Sequence, residues 1–530
     1  MMANRVRAAV AALLLAVSPA AVSPAAAQVG MGALPAPKLT FSAFELELAQ
    51  EVAGDPGLAA FYGSNGLTPI FTGEAATPRR AALRAAINQA PSHGLPYSRY
   101  VMPAASDRLD ARAEAEYARL FAEYARDIST GIVNPARTAD ENKREIIPLD
   151  MADVMARFAG ADPEGALAAL APQDARYQAL HQILLRQSEL VPPSDAPEVA
   201  EGLYREGVSG PEVAALRARL ASIGFEAESV TDTQIFDADL ADAVRRYQQA
   251  AGIQADGIAG PQTIRNLHRG PAGANRAVVM AMERLRWLHG YDLNARHVWV
   301  NIPEFTTEIR ENGQTTFETR AVMGTPDPVM QTPEFSDLLE FVVPNPTWTV
   351  PPGMARRTYL PRLAQNPNAY SHLDVVDRRG RVIPRAQVDF ARYANGGFPY
   401  MLRQQPSADN ALGRVKFMFP NEWNIYLHDT PTRHLFNNRV RADSNGCVRI
   451  GRPFELAYEL LRGNASDPQA YFHRVLDTGQ ERWIRLEEPL PIHLVYFTTL
   501  PDAQGNLRSF PDIYNRDGRL WAALQEAGVE

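Results

Sequence analysis

Cys447 is the single cysteine among 530 residues, which forbids an intramolecular disulfide and any multi-thiolate zinc or iron–sulfur site. It sits in Ser444-Asn445-Gly446-Cys447-Val448-Arg449, downstream of Tyr426-Leu427-His428-Asp429. Nucleophilic cysteine chemistry requires a thiolate, a base or cation that holds its pKa down, and donors for a developing oxyanion. His428 can supply the base. Gly446 lets the backbone approach closely, and the consecutive N–H groups of Gly446, Cys447 and Val448 can aim at one oxygen. Arg449 adds positive potential that favours a thiolate or holds a substrate carboxylate. Tyr426 and His428 alternate along one strand and so face one side of it; the Tyr426 hydroxyl is then a core hydrogen bond or an oxyanion donor. Each residue also has a plainer reading. The cysteine could be an inert small hydrophobe, His428 with Asp429 an ion pair at a strand end, His434 a surface or lid histidine, and Arg449 a neutralising charge. The joint arrangement is what points to chemistry.

Such a set works only where strands and loops hold it, and the chain supplies them late. From His297 the hydrophobic period becomes two: His297–Ile302, Phe305–Arg310 and Thr315–Val322 read as strands, the last two flanking the hairpin signal Asn312-Gly313. Further strands are expected at Glu340–Val343, Lys416–Phe419, Asn424–Leu427 and Ile492–Phe497, with a helix over 454–462. Between them, residues 354–400 are rich in Pro, Arg, Asn and Tyr and read as a lid insertion. Upstream, the pattern over 42–200 is mostly helical, clearest at Arg108–Ile128, where Tyr117, Leu120, Phe121 and Tyr124 share a face. A hinge is expected at Val191–Pro197. Residues 207–270 form a small helical unit, with helices ending at Gly224 and Gly252 and a turn at Asp256-Gly257. The fold class is therefore multi-domain α+β.

The length suggests three or four folding units. A composition of 46% hydrophobic and 22% charged residues excludes a fibrous or wholly disordered chain. With a net charge of −8 and no strongly basic domain-sized block, a nucleic-acid partner is not expected. The N-terminus carries Arg5 and Arg7, an apolar run Ala8–Val17 and Ala25-Ala26-Ala27, which reads as an export signal over residues 1–27. Its apolar core is too short to span a bilayer, so no stable membrane span is expected. In an oxidising compartment a lone thiol is a candidate nucleophile. None of the ten histidines has His-Glu-x-x-His spacing, so neither a metal nor a cofactor is expected.

Two stretches resemble known families. Leu216-x3-Leu220-x3-Gly224 with Tyr247-Gln248-x3-Gly252-Ile253-x2-Asp256-Gly257 is similar to three-helix peptidoglycan-binding modules. Tyr426–Pro431 and Ser444–Arg449 together resemble the L,D-transpeptidases of YkuD-type fold, as do Met282–Leu288, Val300–Pro303, Asn345–Pro351 and Ala411–Phe417. These last resemble the large subclass, which joins a helical scaffold and a binding module to the catalytic domain, here over 275–515. Asp429 and Asn445 replace the Gly and His common in the motif, leaving His428 as its one histidine.

The resemblance implies that Cys447 attacks the L,D bond of a peptidoglycan tetrapeptide stem. D-alanine leaves, and an acceptor amine from a second stem gives a 3→3 cross-link. His428 would be the base, oriented by the Asp429 carbonyl, with Tyr426, Ser444, Asn445, Gly446, Val448 and Arg449 as oxyanion or substrate contacts. It implies a periplasmic or cell-envelope location and acylation by carbapenem-type lactams. The same residues also serve an L,D-carboxypeptidase, in which water replaces the amine; a non-catalytic wall-binding scaffold is the third alternative.

Overall fold

The computed structural model describes residues 40–529 except 105–107, 189, 191–194, 228–231, 252, 270–271 and 394–396. The expected export signal over 1–27, part of the hinge and the stop at Gly252 lie outside the described residues. Among those described, no helix is long and apolar enough to cross a membrane.

The helix expected over 108–128 runs from Ala111 to Thr130, because the Asp110 side chain accepts the Ala113 N–H and fixes its start. Its apolar face packs Tyr117, Phe121 and Ile128 into a core shared with Tyr62, Phe71 and Phe158. Glu114 on the same helix is fully buried, yet its carboxylate accepts the N–H groups of Ile70, Phe71 and Thr72 and the hydroxyls of Tyr62 and Thr72. A buried charge is tolerated when its lone pairs are filled this way.

The small helical unit has its own core. Helices Pro211–Ala221, Ala238–Ala250 and Pro261–Arg269 pack Leu216, Leu220, Val244, Tyr247, Ile264 and Leu267 together. Gln248 ties its turn, donating to the Asp256 side chain and the Ile258 carbonyl and accepting the Gly257 N–H.

The C-terminal half is built on one closed sheet. Its strands are β1 (His297–Asn301), β2 (Thr306–Glu311), β3 (Gln314–Gly324) and β4 (Phe335–Pro344); then, after β5 (Trp348–Thr349), β6 (Leu373–Val376) and β7 (Met401–Gln404) of a separate small sheet, β8 (Val415–Met418), β9 (Leu427–His428), β10 (Ala442–Ser444), β11 (Val448–Ile450) and β12 (Ile484–Val495). The order is β10-β3-β11-β9-β8-β4-β12-β1-β2, and β2 also pairs with β3. That last pairing closes β3 through β2 into a barrel and leaves no long free edge. Asn312 and Gly313 both have positive φ (51° and 73°), the backbone that a two-residue hairpin between β2 and β3 needs. The barrel interior is Val298, Val300, Ile309, Leu339, Phe417, Leu427, Val448 and Ile492.

Two expected boundaries move. The helix Ala272–Arg286 and the terminal helix Arg516–Glu526 bury Val278, Met282, Leu285, Leu520 and Leu524 in the first helical core rather than in the barrel. The insertion begins before residue 354 and ends after 400: β5 and β7 pair with each other and β6 pairs with β7, around a core of Trp348, Leu360, Leu363, Val375 and Leu402. Its two ends meet, the Asn345 N–H donating to the Arg414 carbonyl at 2.9 Å.

Candidate active site

Parallel pairing of β9 with β11 sets Val448 beside Leu427 and Arg449 beside His428. Because side chains alternate, Leu427 and Val448 both point into the barrel and are fully buried. Tyr426, His428, Cys447 and Arg449 therefore share the opposite face. They line a cleft of about 570 Å³ whose other wall is the insertion segment Trp348–Met354 together with Tyr359. Cys447 is half-buried and His428 is 5% exposed, so a nucleophile reachable from the cleft shares it with a base largely shielded from water.

The His428 Nδ1–H donates to the Asp429 backbone carbonyl at 2.5 Å. A carbonyl only accepts, so Nδ1 carries the proton and Nε2 keeps the lone pair a general base needs. Burial, then the Arg449 charge, push the imidazole pKa down to about 3. Burial also pushes the Cys447 thiol up to about 11, against the Tyr426 N–H and hydroxyl and against Arg449, which act to lower it. The Sγ lies 3.6 Å from the Asn424 carbonyl, an acceptor that favours S–H. Desolvation, opposed by these donors, thus favours a thiol and a neutral imidazole over the charged pair the motif suggests.

The three-amide oxyanion site is also revised. The Gly446 N–H donates to Ser444 Oγ (3.2 Å) and the Val448 N–H to the Tyr426 carbonyl (3.2 Å). Of the three, the Cys447 N–H alone has no partner among the described residues. Ser444 is buried and spends its hydroxyl on the Cys447 carbonyl at 2.5 Å, bracing the loop. The Asp429 carboxylate accepts the Arg414 N–H (2.9 Å) and an Arg433 guanidinium N–H (3.1 Å), so only its main-chain carbonyl serves the histidine. Asn445 lines the cleft and is exposed; His434 is exposed too. Arg449 lines the cleft with a buried Nε that has no partner among the described residues.

Sequence reasoning did not assign a role to Trp348 or Thr332. Trp348 lines the cleft together with Tyr426. Thr332, fully buried, donates to the Gly446 carbonyl at 2.8 Å, and its own N–H donates to the Tyr514 hydroxyl. Trp348 stood inside a quoted motif and carried a signal; Thr332 had none. Among the described residues no cluster of three potential metal ligands occurs.

A family model described as the L,D-transpeptidase catalytic domain matches residues 295–478, which hold this whole constellation. That stretch is similar to L,D-transpeptidase catalytic domains. Upstream of that match, a scaffold-domain model matches 56–184 and a "Putative peptidoglycan binding domain" model matches 209–267. A Haemophilus influenzae protein described as "Putative L,D-transpeptidase" is 33% identical over 245 residues, 46% of this chain and 48% of that protein. The chain thus spans about half the length of that relative. Two solved structures, L,D-transpeptidases from Xylanimonas cellulosilytica and Stackebrandtia nassauensis, are 15% and 13% identical. They cover 57% and 56% of this chain and 100% and 96% of their own, each with a TM-score of 0.16, too slight a likeness to inform the transpeptidase fold.

Proposed function

We propose that this protein is an exported cysteine acyltransferase that forms 3→3 peptide cross-links in peptidoglycan, working in the periplasm. The observation that carries the reading is the shared face of Cys447, His428, Tyr426 and Arg449 at one cleft, with the histidine tautomer fixed for base catalysis. The Cys447 Sγ attacks the carbonyl of the L,D bond in a tetrapeptide stem while His428 Nε2 takes the thiol proton. The C–N bond breaks, D-alanine leaves with that proton on its amine, and a thioester remains. An acceptor amine from a second stem attacks the thioester, gives its proton to His428, and releases the thiol. The Cys447 N–H and the Tyr426 hydroxyl donate to the oxyanion, and Arg449 binds a stem carboxylate. The insertion, as one wall of the cleft, gates access of a stem, and Asn445 meets substrate at the rim. Carbapenem-type lactams acylate the same sulfur.

Muropeptide mass spectrometry of the purified protein tests the reading. A 3→3 dimer from tetrapeptide stems, absent with Cys447→Ala, is the expected result. Tripeptide alone makes the protein an L,D-carboxypeptidase, and cross-linking undiminished in Cys447→Ala leaves only a wall-binding scaffold.

A further inference from the structure

The insertion differs in charge from the rest of the chain. Residues 345–413 contain nine arginines, no lysine, four aspartates and no glutamate, a net +5 within a protein of net −8. Part of that charge is consumed locally: Arg381 pairs with Asp377, and Arg385 donates to the carbonyls of Pro367, Ala369, Tyr370 and Leu373. Arg356 and Arg378 are different. Both are exposed, neither has an acidic partner among the described residues, and both line a second hollow of about 530 Å³. Phe398 and Tyr400, whose rings pack edge to face at 5.6 Å, supply apolar surface in the same hollow. Val350 and Pro352 line both this hollow and the Cys447 cleft, so the two lie on either side of one short stretch of chain.

We propose that this hollow is a second substrate groove, which holds a carboxylate-bearing peptide, the acceptor stem, beside the wall of the cleft. The assignment rests on the transferase reading above and adds where the second substrate lies. Two unneutralised guanidiniums provide bidentate sites for carboxylates. The rings take up the methylenes of a diamino acid. The shared wall keeps the acceptor within a few residues of the thioester, raising its local concentration at the step that needs it.

The test is equilibrium binding of a synthetic tetrapeptide stem, without sugar, to the full chain carrying Cys447→Ala, followed by calorimetry. The double change Arg356→Gln with Arg378→Gln is expected to bind one stem fewer per chain, or to weaken one site at least tenfold, and raising salt should weaken that site selectively. A stem ending in a carboxamide should bind that site less well. With Cys447 intact, the double variant should raise the KM for acceptor at least tenfold and leave the rate of Cys447 acylation unchanged. An unaltered number of sites and affinity overturns the groove, as does an equal fall in acylation and transfer. A chain that makes neither dimer nor tripeptide, yet loses one site in the double variant, overturns the transferase reading and keeps the groove.

Discussion

A thiol whose pKa lies near 11 reacts slowly at neutral pH unless a base acts in the same step. Alkylation of Cys447 by iodoacetamide should therefore climb roughly tenfold per pH unit between 7 and 10, following the thiolate fraction. A rate already level by pH 6 would mean a stable thiolate–imidazolium pair and would refute the neutral resting state. Tyr426 holds the other control. Its hydroxyl and N–H both act against burial to lower the thiol pKa. Tyr426→Phe should move the alkylation profile to still higher pH. It should also lower the transfer rate by about 10²-fold, the scale of losing one oxyanion donor. A pure core tyrosine would change melting temperature and leave both profiles in place.

At the scale of elements, the Cys447 loop works because its backbone is committed elsewhere. Gly446 has φ +110°, a conformation that disfavours a Cβ, although the space around it would give only ordinary contacts with Ile425 and Gln331. Gly446→Ala should cost about 1–2 kcal/mol by denaturant melts through backbone strain. It should also lower transfer further than that loss of stability explains, because the sulfur moves with the loop. Thr332→Val leaves the buried Gly446 carbonyl without its donor, worth about 1–3 kcal/mol. The insertion can be tested whole, since Asn345 and Arg414 are hydrogen-bonded neighbours. Replacing residues 348–411 with a short glycine linker should leave a folded barrel with an alkylatable Cys447 and abolish transfer; an unchanged transfer rate would remove the gating role.

The whole molecule carries an acid sensitivity. Burial lowers the pKa of six of the ten histidines, His93, His181, His289, His297, His428 and His493, with His93 and His428 down to about 3 and His493 well below its usual value. A histidine depressed in the folded state is neutral there, while in the unfolded chain it takes up a proton below about pH 6.5. The unfolded state then binds more protons, so the stabilisation is fully present above that pH and is lost as pH falls toward 3. Melting temperature should fall steadily from pH 7 to pH 5, and His493→Gln, where it folds, should flatten the slope; a flat profile would mean these rings are solvated.

The sequence by itself determined what local chemistry and short-range pattern can settle. A lone cysteine near a histidine two positions from a tyrosine defined the candidate nucleophile, its base and the strand face that the tyrosine and the base share. Alternation named most of the strands, and Asn312-Gly313 named the hairpin, because two consecutive positive-φ positions suit almost no other pair. The helical face of Tyr117, Phe121 and Tyr124 was legible for the same reason: periodicity reports which side is buried. Only the tertiary structure decided who receives each hydrogen bond. The amides of Gly446 and Val448 are taken by Ser444 and Tyr426, and the Gly446 carbonyl is held by Thr332 from more than a hundred residues away. The neutral state of the thiol belongs to the same class, since it comes from desolvation by the walls that enclose the cleft. Burial and long-range partners are properties of the packed chain, and no local pattern encodes them.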